Sequence, residues 1–478
     1  MFIPPSWPQT ANRLGVQALC LTALVSCGLL PPLGSGRLKK DVQDLHALAP
    51  ENWAALPSLP EKASTGWLAD FNSTQLRVLV DQAITANPDL KAAAARVKQA
   101  NAETVQAGAA MFPALTTSYT ASRSQSPGDQ RFAGLTPINN RFRLPFNMSW
   151  EIDFWGRVAD ERGAAKATRL AQEENFHAAR LSLAANTVRT AVTLAEAQTL
   201  LRLAEQNVQS RRVQLGILEK QMDRGIDPDR AALDVSLARA DLARTESTLQ
   251  QRRASVDQTR RALEVLMGGY PAGKEAGIGT LPSLQRGIPA GLPSELLLRR
   301  PDMRAAERRL EASLRRESAA KKAFLPSIRL TGESGRTSQD MDNLLAPDSA
   351  MWSIAANGVQ TLFQGGRLVA GVKLARGRYE ELLETYKGSA LTAFQEVETA
   401  LAADRFLRDQ ATALTHAATE AKRSEKLALG QYEKGLTDVL TLLDASQRAF
   451  DARSSLVSVQ AQRLRNRADL HLALGGEF

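Results

Sequence analysis

Phe142-Arg143-Leu144-Pro145-Phe146-Asn147-Met148-Ser149-Trp150-Glu151-Ile152-Asp153-Phe154 is apolar at every even-numbered position. Arg143, Pro145, Asn147, Ser149, Glu151 and Asp153 fill the gaps, so a period of two predicts one strand with an apolar and a polar face. Its expected partner is Leu115–Ser122, with Leu115, Thr117, Tyr119 and Ala121 on the less polar side. Between them Arg123–Arg141, carrying Ser126-Pro127-Gly128-Asp129 and Gly134, reads as a loop. A second hairpin is expected where Ile328 and Leu330 alternate with Arg329 and Thr331, and where Trp352 and Ile354 flank Ser353. Such strands fit a transmembrane barrel with lipid outside and a polar lumen. They fit a soluble antiparallel sheet equally well.

The N-terminus shifts that balance. Arg13 precedes an apolar run, Leu14–Val25, that ends in Leu24-Val25-Ser26-Cys27. A short charged region, an apolar core and small residues before a cleavage point make a secretory signal. Leu24 and Ser26 around Cys27 form a lipobox, so residues 1–26 are the signal peptide and Cys27 becomes the acylated first residue. Cys20, preceded by Leu19, fits the box badly and leaves with the signal. Gly28 after the modifiable cysteine resembles the sorting signal of lipoproteins bound for the outer membrane. An acyl anchor then replaces a transmembrane helix, and the strands read more naturally as barrel strands.

The rest of the chain is a duplication. Asn87-Pro88-Asp89-Leu90 matches Arg300-Pro301-Asp302-Met303, and Phe112-Pro113-Ala114-Leu115 matches Leu325-Pro326-Ser327-Ile328, both 213 positions apart. Arg224-Gly225 echoes Lys434-Gly435 at 210, and Met267-Gly268-Gly269 echoes Leu474-Gly475-Gly476 at 207. The expected organisation is an N-terminal anchor and equatorial segment over 27–80, a first repeat over 81–269, a Gly- and Pro-rich linker over 270–299 and a second repeat over 300–478.

Each repeat reads as helix, hairpin, long helix, long helix. Arg157–Arg224 contains no proline, and a helix of that length would span on the order of 100 Å. Leu194, Leu201, Val208, Leu215 and Met222 recur every seven residues, as do Val235, Leu242, Leu249, Val256 and Leu263, and Leu436, Leu443, Phe450, Val457 and Leu464. Sustained heptads predict coiled-coil pairs of antiparallel helices. Four strands cannot close a barrel, so oligomerisation follows from the open edges.

Composition excludes other classes. Among 478 residues, 60 Lys+Arg stand against 51 Asp+Glu for a net charge of +9, yet cations are interleaved with acids, as in Glu307-Arg308-Arg309, which argues for solvated helix faces and against nucleic acid. His46, His177, His416 and His471 show no ligand spacing. No catalytic residue, metal site or cofactor is expected, and no apolar run of membrane-spanning length follows residue 33.

Asn87-Pro88-Asp89-Leu90, Ser149-Trp150-Glu151-Ile152-Asp153-Phe154-Trp155-Gly156-Arg157, Leu292–Asp302, Ala323–Ile328, Leu362–Arg367, Tyr432-Glu433-Lys434-Gly435 and Leu442-Leu443-Asp444-Ala445 resemble, in family order, the TolC-like outer-membrane factors, and among them the NodT-type efflux lipoproteins. The resemblance covers essentially the whole mature chain. It implies a mainly α protein with a small β part, a homotrimer whose protomers each give four strands to a twelve-stranded barrel, and a long α-helical barrel continuing through the periplasm. The implied partners are outer-membrane lipid, a periplasmic adaptor of the membrane fusion class and an inner-membrane pump of the RND type. The implied function is a passive exit duct for small toxic compounds. The alternatives are the outer-membrane component of a type I protein secretion system and a structural coiled-coil lipoprotein, though the latter needs neither the strict alternation of Phe142–Phe154 nor two hairpins.

The same resemblance implies a periplasmic gate at Leu440, Asp444 and Gln447. Family members often carry Arg three residues after the Asp; here Gln447 stands there, with Arg448 next to it. Heptad pattern alone would make Asp444 a solvated coiled-coil residue, and Asp234 is its weakly matched counterpart in the first repeat. The adaptor is expected at two hairpin tips, Arg224-Gly225 and Lys434-Gly435, with Asp444 two helical turns beyond the second.

Overall fold

The computed structural model describes residues 35–46, 49–50, 52–55, 66–125, 138–223, 228–284 and 293–476. Cys27, the expected signal peptide over 1–26 and the first expected tip, Arg224-Gly225, lie outside the described residues. The helices are α1 (Ser35–His46), α2 (Thr74–Ala86), α3 (Pro88–Ala109), α4 (Arg157–Asp223), α5 (Pro228–Leu266), α6 (Pro293–Arg299), α7 (Pro301–Lys322), α8 (Arg367–Glu433) and α9 (Val439–Ala473). The strands are β1 (Ala114–Thr117), β2 (Thr120–Gln125), β3 (Ile138–Ile152), β4 (Ser327–Ser338) and β5 (Ala350–Val359). The protein is mainly α with a small β part, as the sequence predicts.

Contacts divide the chain into two compact units. Among the described residues, one comprises 35–45, 98–125, 138–171 and 306–385; the other comprises 46, 49–50, 52–55, 66–97, 172–223, 228–284, 293–305 and 386–476. Each sequence repeat contributes to both units, because α4 and α8 each have residues in the two.

The first unit holds one antiparallel sheet, ordered β1-β3-β4-β5, with β2 also paired to β3. β1 and β2 share one register, Thr117 opposite Phe146 and Thr120 opposite Arg143, so they are a single strand interrupted at Ser118-Tyr119. The cause is Pro145, which faces that gap and has no N–H to give. Its carbonyl still accepts from Ser118 N at 3.4 Å and Thr117 Oγ1 at 3.1 Å. On the other side Pro145 lies against Gly335, where an added Cβ would stand 2.4 Å from Leu144 O.

Register sorts the side chains into two faces. Phe142, Leu144, Phe146, Met148, Trp150 and Ile152 pair across to Ser338, Arg336, Ser334, Gly332, Leu330 and Ile328, and Trp352 and Ile354 join them from β5. Arg143, Asn147, Ser149 and Glu151 take the opposite face with Arg329, Thr331, Glu333 and Thr337. There Arg143 pairs with Glu333 at 2.5 Å. The apolar face is not a core: Phe146 is 60% exposed, Leu115 76%, Ile354 71% and Trp352 78%.

Two strand expectations need correction. Strand pairing extends into the expected loop on both sides, to Gln125 and from Ile138. The alternating strand ends at Ile152, short of Phe154, because Asp153 leaves the ladder to accept from Val158 N at 3.0 Å and Ala159 N at 2.7 Å. A carboxylate at these unpaired first-turn N–H groups is favoured, and Gly156, at φ +74°, makes the turn. Nearby, Asp160 of α4 is buried against Lys322 of α7 at 2.7 Å and bonded to Ser318. α1 also docks in this unit. Its Asp41 accepts from the buried Tyr379 hydroxyl at 2.6 Å, and Arg37 lies 4.4 Å from that ring's centre and 3.3 Å from Glu317.

The second unit holds the coiled coils. Leu201, Val208, Leu242, Leu249 and Phe450 meet in one cluster, so the heptad stripes of α4, α5 and α9 pack together. Ala184, Ala185, Ala191, Ala195, Ala461 and Ala468 are fully or almost fully buried, which lets helices approach closely. Leu436 is a correction: it lies in the turn before α9, 73% exposed, outside any seam. The expected linker 270–299 is also not simply a linker. It contains α6, whose Leu296 and Leu297 are buried, and Ile278, which joins the main core.

The duplicated motifs make matching contacts. Asn87 Nδ2 donates to Leu266 O at 2.9 Å, and Arg300 Nη1 donates to Ala473 O at 3.0 Å. Gly268 (φ +71°) and Gly475 (φ +67°) end α5 and α9, with Gly269 N bonding Glu264 O and Gly476 N bonding His471 O. This is a Schellman ending, which needs the left-handed residue that glycine supplies.

Candidate gate and hairpin tip

The tip between α8 and α9 is built by the same device. Gly435, at φ +73°, donates to Tyr432 O at 2.9 Å, and Leu436 N reaches Gln431 O at 2.9 Å, closing α8. Asp438 then caps α9, its side chain accepting from Thr441 N at 2.7 Å. Lys434 and Gly435 are exposed at this turn. α9 starts at Val439, so Asp444 lies about one and a half turns into its helix, beyond the turn at Lys434-Gly435.

α9 buries Val439, Leu442, Ala445, Ser446 and Ala449. The opposite stripe, at four-residue spacing, is Leu440, Asp444 and Arg448. Leu440 is 57% exposed. Asp444 pairs with Arg448 at 2.8 Å, both side chains well exposed. Gln447 is half-buried and donates to Asp451 at 2.8 Å. The structure therefore brings Leu440 and Asp444 onto one outward face and leaves Gln447 at its side. Arg448, four residues after Asp444, lies about one turn away and pairs with it inside the same helix.

Sequence reasoning missed what lies behind this face. Leu218, Val235 and Ala238 of the first hairpin cluster with Ala428, Tyr432, Val439, Leu442 and Ala445 of the second. Tyr432 OH donates to Gln221 Oε1 at 3.1 Å. Deeper in, Arg211 is buried, with Nε 2.9 Å from Asp241 and bonds to Gln214 at 3.2 Å and Leu443 O at 3.4 Å. Gln214 in turn donates to the buried Ser446 hydroxyl at 3.3 Å. These bonds pin the first hairpin to the backbone and side chains of α9 beside Asp444. A signal existed: Ala197, Ala204, Arg211 and Leu218 form a second seven-residue stripe, and an arginine in it marks a seam with a buried charge.

The family model described as outer membrane efflux protein matches residues 79–269 and again 292–476. The chain belongs to that family. Among curated relatives, outer membrane protein OprJ of Pseudomonas aeruginosa is 31% identical over 470 residues, covering 97% of this chain and 95% of OprJ. Cation efflux system protein CusC of Escherichia coli K12 is 30% identical over 416 residues, covering 86% of this chain and 89% of CusC. Among solved structures, the CmeC outer membrane channel of Campylobacter jejuni superposes with a TM-score of 0.83 at 26% identity, covering 91% of this chain and 92% of CmeC. The fold of this chain is thus shared with its relatives along nearly the whole length.

Proposed function

We propose that this protein is the outer-membrane exit duct of a tripartite efflux system, passing small toxic compounds handed to it by a periplasmic adaptor and an RND-type inner-membrane pump. The observation that carries this reading is the sheet. One face is mainly apolar, with Leu115, Phe146, Trp352 and Ile354 exposed, the other carries Arg143, Glu333, Glu151 and Arg329, and both outer edges, β1/β2 and β5, lack a partner strand among the described residues. Three copies of this sheet, joined edge to edge, would turn the apolar faces to lipid and the polar faces to a lumen. The duct does no chemistry of its own, needs no cofactor, and draws its energy from the pump.

At its periplasmic end, three copies of Leu440 and Asp444 would face the axis, the leucines narrowing the passage and the carboxylates drawing cations. The tips at Lys434-Gly435 and Arg224-Gly225 are proposed to meet the adaptor, and acylated Cys27 to anchor the chain in the outer-membrane lipid.

Planar-bilayer recording tests the reading. The purified full-length protein is expected to give uniform conductance steps, and Asp444→Ala higher conductance with reduced cation selectivity. Failure to insert at any protein concentration would overturn the duct; unchanged conductance and selectivity would remove Asp444 from the gate. Intact-mass measurement is expected to find a mature chain beginning at a lipidated Cys27.

A further inference from the structure

We propose that the groove between the end of α3 and the start of α4 binds the phosphate headgroup of an anionic phospholipid. The proposal rests on the membrane placement of the sheet proposed above. The groove has a volume of about 420 Å³ and is lined by Thr104, Met111, Gly163 and three cations, Arg162, Lys166 and Arg169, with no acidic residue in its wall. The cations follow one another at four and three residues and so share one face of α4.

The cations around Arg162 and Lys166 are neutralised within the protein. Arg157 meets Glu151 and Glu161, each at 2.7 Å, Lys321 meets Glu317 at 2.7 Å, and Lys322 meets Asp160 at 2.7 Å. Arg162 instead ends against Met111 Sδ, at 3.7 Å, and both Arg162 and Lys166 are exposed. Gly108 makes room for this: a Cβ there would stand 3.3 Å from Arg162 Nε, so the side chain crosses the end of α3.

The strand–helix junctions beside the groove are rimmed by exposed apolar side chains. Phe112 is 71% exposed, Phe154 67% and Trp155 40%. Aromatic side chains collect where hydrocarbon gives way to headgroups. Arg162 lies about 7.5 Å of helix rise, and Lys166 about 13 Å, beyond Arg157. A headgroup layer is roughly 5–8 Å thick, and helix side chains lean back toward the N-terminus, here the membrane side. Both cations can therefore reach a phosphate at that level with charge-assisted hydrogen bonds, while its acyl chains lie along Phe112 and the apolar face of the sheet.

Native mass spectrometry of the full-length protein in mild detergent, offered equal amounts of phosphatidylglycerol and phosphatidylcholine with the same acyl chains, tests this. The wild type is expected to retain phosphatidylglycerol in excess by on the order of tenfold. Arg162→Gln with Lys166→Gln should bring the ratio close to one, while Arg244→Gln with Arg253→Gln on α5 should leave it unchanged. Equal retention by the wild type, as when a second copy of the chain covers the groove, overturns the proposal, as does a double variant that keeps the preference. Displacement of phosphatidylglycerol by excess inorganic phosphate would overturn it in favour of a free-anion site. Wild-type protein that conducts in bilayers without any lipid preference loses this site alone, whereas protein that never inserts loses the duct reading first.

Discussion

His471 shows how a residue that looked unremarkable in the sequence acquires a consequence. Its ring lies 2.8 Å from Asp70, stacks on Trp67 at 5.2 Å and is buried. Arg467 stands 3.8 Å from both Asp70 and Asp404, and Asp404 also meets Arg408 at 2.7 Å and Arg463 at 3.7 Å. Burial pushes the His471 pKa below its usual 6.5, outweighing the pull of Asp70. The unfolded chain then binds this proton first as pH falls, so stability is full above about 6.5 and declines below it. The thermal midpoint should drop between pH 7 and pH 5 more steeply in the wild type than in His471→Gln; equal slopes would contradict the assignment. At the proposed gate, the exposed Asp444–Arg448 pair contributes little stability but holds a cation beside the carboxylate. Arg448→Ala is expected to leave the thermal midpoint unchanged and to raise cation selectivity in bilayer recordings, opposite in sign to Asp444→Ala.

Elements differ in how much their special residues carry. Gly268 and Gly435 both end helices at positive φ, but a Cβ at Gly268 would lie 2.7 Å from Ala86 O, whereas nothing lies within 4 Å of one at Gly435. Gly435→Ala should cost about 1 kcal/mol, the strain of a left-handed residue, and Gly268→Ala should cost more, on the order of 2–3 kcal/mol, because backbone must also move. Chemical denaturation of the two variants tests the ranking, and equal losses would contradict the clash. Between hairpins, Arg211→Ala removes the ion pair with Asp241 and the hydrogen bond to Leu443 O, and leaves Asp241 in the seam without that cation. Removing one partner of a buried pair costs roughly 3–5 kcal/mol. The expected outcome is a lower thermal midpoint together with higher resting conductance; a destabilised variant with wild-type conductance would separate this cluster from the gate.

For the whole molecule, the two units have different needs. The coiled-coil unit buries its own core through Trp67, Phe71, Leu76, Leu194 and Leu263. The sheet leaves Trp352 and Ile354 exposed and, among the described residues, its edges open; in the proposed barrel, lipid and further copies of the chain would cover them. Crosslinking of protein in membranes is expected to trap trimers through cysteine pairs placed on β1 and β5, for example Thr116→Cys with Asn357→Cys. Bands that stop at a monomer would contradict the edge-to-edge barrel.

The sequence by itself determined the element types, the duplication and the two-faced strands, because those are local: alternation, heptads and glycine positions depend on neighbours a few residues away. Phe142–Ile152, the long proline-free helix and the Gly435 turn were legible for that reason. The end of the strand at Ile152 was less so, since Asp153 had to choose between continuing the ladder and capping α4. Only the tertiary structure decided that Pro145 splits its neighbouring strand at Ser118-Tyr119, that Arg211 lies buried between hairpins, that Arg162 ends on a sulfur instead of a carboxylate, and that His471 meets Asp70, 401 positions away in the chain. Those are pairings between distant segments, and their energies depend on burial and on which opposite charge packing brings within reach, quantities that a one-dimensional pattern does not contain.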